Sequence, residues 1–180
     1  MRRFSFLFGI LAAGALLSAA CEQKTATPAA GTAEKALPPL TALPGSAFNV
    51  EWTRPAIPSS VPAGQGFIAQ VAVKNTGDTI WPDSKMSDPN GSTGGAGAVR
   101  LSYRWLSAAQ EGRINTYVGY DVRIELPRPV APGESVTVPV AVKAPSQPGD
   151  YRLQFDLVQE LVAWFGGRGA ARLIIPVTVQ

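Results

Sequence analysis

The 180-residue chain contains no histidine and a single cysteine. Without histidine there is no imidazole general base, no His-assisted serine or cysteine nucleophile and no His-ligated zinc or haem. One cysteine rules out an internal disulfide or a thiolate metal cluster, so apolar packing must hold any core. Charge is also sparse, with 16 Lys and Arg against 13 Asp and Glu. Arg2 and Arg3 belong to the leader, and without them the balance falls to about +1. The other basic residues, Arg100, Arg104, Arg123 and Arg152 among them, are scattered. Phosphate recognition relies on clustered cations, so nucleic acid is not an expected partner. Long apolar runs are missing too: the stretch from Phe4 to Leu17 is about 14 residues, against the roughly 20 that span a bilayer as a helix.

What is present begins with that stretch. Residues 1–20 open Met-Arg-Arg, continue through the apolar run and close on Ser18-Ala19-Ala20, the pattern of a signal peptide. Leu17-Ser18-Ala19-Ala20-Cys21 resembles a bacterial lipobox, which implies lipid on Cys21 and a mature chain that starts there. Cleavage after Ala20 without lipid, and an uncleaved anchor, are the alternatives that the residues leave open. Glu22 follows the cysteine, and by the same resemblance this points to the outer membrane and periplasm in an organism with two membranes. Residues 21–46 are rich in Ala, Pro, Thr and Gly and lack aromatic residues. Such a composition buries too little surface to offset its ordering entropy, so a disordered tether is expected, about 25–30 Å in root-mean-square span.

From Ala47 to the end the apolar residues alternate, which is the strand period. The inward sets are Phe48, Val50, Trp52; Phe67, Ala69, Val71, Val73; Val99, Leu101, Tyr103, Trp105; Val136, Val138, Val140, Val142; Tyr151, Leu153, Phe155, Leu157; and Leu173, Ile175, Val177, Val179. A weaker strand is expected near residues 117–126. Pro139 and Pro176 interrupt two of these runs and cannot donate to a ladder, which predicts edge or bulge positions. The expected fold is all-β: one immunoglobulin-like antiparallel sandwich of about seven strands over residues 47–180.

Lys74-Asn75-Thr76-Gly77-Asp78-Thr79-Ile80-Trp81-Pro82 resembles the Asn-Thr-Gly-x-x-x-Trp signature of the four-tryptophan immunoglobulin-like domain, known from a selective-autophagy receptor and from many bacterial chains. Ala131-Pro132-Gly133-Glu134, the stretch from Ala144 to Leu153, and Asp156-Leu157-Val158-Gln159-Glu160 followed by Trp164-Phe165 are similar to its bacterial form. Phe155 stands where some members carry tryptophan, and residues 91–97 lengthen a loop. The resemblance implies a binding or accessory module, so no enzyme activity and no cofactor are expected.

Four side chains are the candidate binding residues. Trp164 and Phe165 precede a Gly-rich tip with Arg168, and Trp81 begins a loop; the three aromatic residues could offer a ring to a sugar. Trp52 and Trp105 fall on inward phases and read as core. Residues 83–97 hold Asp83, Asp88 and Asn90 but lack calcium-loop spacing, so a Gly-Ser-rich turn without metal is expected. Asp156 and Glu160 share a strand face, as a glycosidase pair might, with nothing to indicate a cleft. These residues leave two partner classes open beyond the membrane held through Cys21: another envelope protein, or a cell-wall or surface polysaccharide.

Overall fold

The computed structural model describes residues 41–107, 117–118 and 122–180. The expected signal peptide, Cys21 and the expected linker up to residue 40 lie outside the described residues. A 3₁₀ turn, Gly45–Phe48, leads into β1 (Val50–Thr53), β2 (Ser60–Val61) and β3 (Gly66–Asn75). After the short helix Ser84–Ser87 come β4 (Val99–Ser107), β5 (Tyr117–Val118), β6 (Ile124–Glu125) and β7 (Ser135–Lys143). The chain closes with β8 (Gly149–Gln159), β9 (Ala163–Trp164), a 3₁₀ turn Gly166–Arg168 and β10 (Leu173–Val179).

Among the described residues these strands form two sheets. The smaller has the order β1-β3-β7; the larger runs β2-β10-β8-β4-β5, with β6 and β9 paired to β4 and β8. All pairings are antiparallel except β2 with β10, which is parallel and joins Ser60 and Val61 to Thr178 and Val179. The alternation in the sequence explains the layering: Ala69, Val71 and Val73 of β3 and the four valines of β7 meet Leu101, Tyr103, Trp105, Leu153, Phe155 and Leu157 across the interior. Cross-sheet hydrogen bonds add to this packing where a disulfide is missing. The Lys143 N–H donates to the Tyr103 hydroxyl at 3.0 Å, and its carbonyl accepts from the Trp105 indole at 2.8 Å.

Three local expectations are corrected. Phe48 is buried, but it sits in a turn before the first strand, where it packs on Phe165 with ring centroids 4.9 Å apart. Trp52 is only half-buried, its indole donating to the Ala171 carbonyl at 2.7 Å. Packing also begins before residue 47: Leu43 rests against the core, and its N–H donates to the Gln159 side chain at 2.9 Å. Gln159 is wholly buried, so its amide needs these partners; its nitrogen donates to the carbonyls of Thr41 and Gly97.

Candidate functional site

The Asn-Thr-Gly-x-x-x-Trp stretch closes one end of the sandwich. Asn75 is wholly buried at the end of β3; its amide nitrogen donates to the carbonyls of Thr79 and Val130, and its oxygen accepts from the Gly77 N–H. Gly77 is required by proximity: a Cβ there would lie 2.8 Å from the Ser46 carbonyl oxygen. The turn delivers Trp81 inward, where it is wholly buried, donates to the Ala47 carbonyl at 2.8 Å and meets Phe165 edge-on at 5.3 Å. Trp81 is therefore a plug, and the signature is a packing device.

The expected aromatic platform does not exist as such. Phe165 is wholly buried, because the chain after β9 turns back over the sheet and drives this ring between Phe48 and Trp81. Trp81 and Phe165 thus have no face to offer a ligand. Trp164 is half-buried, and the guanidinium groups of Arg104 and Arg123 lie over its ring at 4.3 and 4.5 Å from the centroid. Arg168 is exposed and lies 5.6 Å from the centroid of Phe48. The indole π surface that a pyranose would need is already engaged by arginine.

The same outer face of the large sheet buries a polar layer: Ser102, Arg104, Gln154 and Asp156. Asp156 accepts from the Leu157 and Gly166 N–H groups and from Arg172 Nε at 3.0 Å. Burial raises its carboxyl above the ordinary carboxylate range, against the opposing pull of Arg172. A side chain on Gly166 would collide with the Arg172 guanidinium, so this glycine keeps the pair in place. Glu160 is held by Arg100 and Arg123, at 3.5 and 3.0 Å. Each carboxylate is thus committed to arginine partners, an arrangement of structural ion pairs.

Residues 83–97 organise around Asp83 and Asp88. Asp83 caps the short helix through the Met86 N–H, and the buried Asp88 carboxylate accepts from the N–H groups of Ser92, Thr93 and Gly95. Desolvation opposes ionisation there, yet the hydrogen bonds from Thr93, Gly95 and Ser92 hold the Asp88 carboxyl far below its ordinary range. No group of three or more His, Cys, Asp or Glu side chains suited to a metal comes together among the described residues.

Among the described residues, large apolar side chains point outward at Ile174 of β10 and on two further surfaces. On the small sheet, the outer row of β3 is Ile68, Gln70 and Ala72, opposite Ala141, Pro139 and Thr137 of β7. Ile68 is 62 % exposed at one end of this uncharged patch, next to Lys143, and the Lys74–Glu51 ion pair closes the other end. At the loop end, Leu161 is 76 % exposed and Met86 48 %. Strand edges are guarded. The backbone groups of Lys143 point away from β3, toward Tyr103 and Trp105, so the two-residue period puts Pro139 on the same open side of β7. On β10 the Thr178 N–H points away from β8, to Ser59, and Pro176 shares that side where the short β2 no longer covers it. Both prolines therefore sit at open edges, as their places in the sequence predict.

The family model of the Ig-like domain from next to BRCA1 gene matches residues 57–179. No curated protein matches the chain. Among solved structures, a CARDB domain from Pyrococcus furiosus, crystallised with di-metal ions, is 15% identical, with 73% of this chain and 84% of that one covered at a TM-score of 0.40. The sporulation control protein Spo0M from Bacillus subtilis is 14% identical, with 73% and 49% covered and a TM-score of 0.40. A β-glucosidase from Listeria innocua is 13% identical over 73% of this chain and 16% of its own length, with a TM-score of 0.36.

Proposed function

Because the chain belongs to the family of the Ig-like domain from next to BRCA1 gene, we propose that it is an exported lipoprotein of the four-tryptophan type, tethered through lipid on Cys21, whose sandwich is a non-catalytic docking module for another cell-envelope protein. The observation that carries the docking role is the outer face of the small sheet. It has an uncharged centre around Ile68, Ala72, Pro139 and Ala141 and charges only at its rim, which is the anatomy of a protein contact. The prolines at the open edges disfavour strand addition, so the partner meets this face through side chains. The export reading rests on the leader, the residues before Cys21 and the Ala-Pro-Thr-rich linker. The polysaccharide reading loses its support, since Trp81 and Phe165 are buried and Trp164 is stacked with arginine.

The non-catalytic reading is supported by chemistry. Histidine is missing from the chain, and the buried acids Asp88 and Asp156 spend their oxygens on backbone N–H groups and Arg172. The test is a photo-reactive residue at position 68 of the full-length protein in its native host, with Glu51 on the rim as the second position. The expected result is one discrete crosslinked envelope protein from 68, and the same product from a probe at 51 that is lost when Ile68→Asp is added at unchanged thermal stability. Crosslinks to polysaccharide alone, or none from 68, would overturn the docking role.

A further inference from the structure

Leu161 combines two unfavourable features. It is the only non-glycine residue at positive φ among the described residues, at 61°, and it is 76 % exposed. It occupies the third position of the turn that joins β8 to β9, closed by the Val162 N–H on the Gln159 carbonyl at 3.0 Å. Glycine is the ordinary residue for such a position. An apolar, β-unbranched side chain held outward in this conformation points to a contact outside the molecule.

The surroundings identify the contact. The turn is tied to the loop of residues 83–97, since Gly97 donates to the Glu160 carbonyl and Glu160 to that of Ala98. Gly97 in turn lines an apolar groove of about 360 Å³ with Leu43, Ile80, Pro82 and the half-exposed Met86. The start of the domain is fixed to the same place: Gln159, two residues before Leu161, holds both Thr41 and Leu43. The 40 residues that precede Thr41 carry Cys21, so the tether enters the domain beside Leu161 and Met86, with Lys85 exposed next to Met86.

We infer that this end of the sandwich, with Leu161 and Met86 as its apolar tips, rests in the head-group region of the bilayer that holds the tether. The inference builds on the lipoprotein reading above. Burying one leucine side chain shifts an equilibrium by roughly ten- to a hundred-fold, too little to recruit a free protein to a membrane. For a domain already confined to the surface by a tether of about 20 residues, the same factor sets orientation instead. The domain then stands with its loop end down, and the face around Ile68 stays in water.

The test uses the full-length protein purified from native membranes and placed in vesicles of phosphatidylethanolamine and phosphatidylglycerol. A bimane label is attached at Leu161→Cys, at Val162→Cys, which leaves Leu161 in place, and at Ile68→Cys; lipids bearing a doxyl group on the acyl chain act as quencher. Quenching severalfold stronger at 161 and 162 than at 68 is expected. Equal quenching at all three positions, with intact mass showing lipid on Cys21, overturns the membrane-resting end and leaves the tether reading standing. A blue-shifted label at 161 without lipid quenching also overturns it, since the contact is then with protein. An unmodified Cys21 overturns both readings.

Discussion

Adjacent residues on this chain have opposite fates, and burial decides which. Trp164 and Phe165 look alike in the sequence as a pair before a glycine-rich tip; the return of the chain over the sheet buries one and leaves the other under two guanidinium groups. No local pattern contains that return, so the pair could not be separated from sequence. Asn75 and Gly77 were legible as a motif, but their reasons lie elsewhere in the chain: Asn75 donates to the Val130 carbonyl, and Gly77 closely approaches Ser46 and Ala47. Leu161 gave no signal at all, because a leucine in a loop is unremarked until its φ is seen. At this scale Leu161→Gly relieves a left-handed conformation that costs an L-residue about 1–2 kcal/mol, less the backbone entropy glycine adds. A stabilisation of roughly 0.5–1 kcal/mol is expected in denaturant melts. Arg172→Met removes a cationic partner that lies 3.0 Å from the buried Asp156 carboxylate, and about 3 kcal/mol should be lost at neutral pH. Asp156 is raised in the folded protein, so its favourable contribution is complete below the ordinary carboxylate range and is lost as pH rises through its own value. Without Arg172 that value rises further, and the deficit of Arg172→Met should shrink as pH falls. A deficit that stays constant with pH would mean that the arginine acts by packing alone.

Strands were legible where alternation was long. The inward residues of β4, β7, β8 and β10 are those that the period of two selects, and the weaker strand near residues 117–126 resolves into the short pieces β5 and β6. The two-residue β2 and its parallel pairing with β10 have no periodicity to read. The outer face of β8 was not legible for a related reason: Gln154 and Asp156 have the polarity of a solvated face, yet both are buried. Edge positions were predictable because proline lacks an N–H. Pro139→Val restores a donor at the open side of β7 and raises strand propensity. The variant should fold with unchanged or slightly higher stability but self-associate at concentrations where the parent stays monodisperse in light scattering. If it remains monodisperse, Pro139 is not what guards that edge.

The whole molecule separates into surfaces with different tasks. One end is closed by Trp81, Phe165 and Phe48 behind the Asn75 turn. The outer face of the large sheet is sealed by arginine and carboxylate pairs, and the small sheet leaves its uncharged face open. Gln159 fastens the beginning of the domain to the loop end, so the position of the proposed anchor bears on how the open face is presented. Both functional proposals depend on that anchor. The most direct measurement is therefore the intact mass of the full-length gene product purified from native membranes. A chain that begins at Cys21 and carries lipid is the predicted result; a chain that retains its leader, or that begins at Cys21 with a free thiol, would contradict the account.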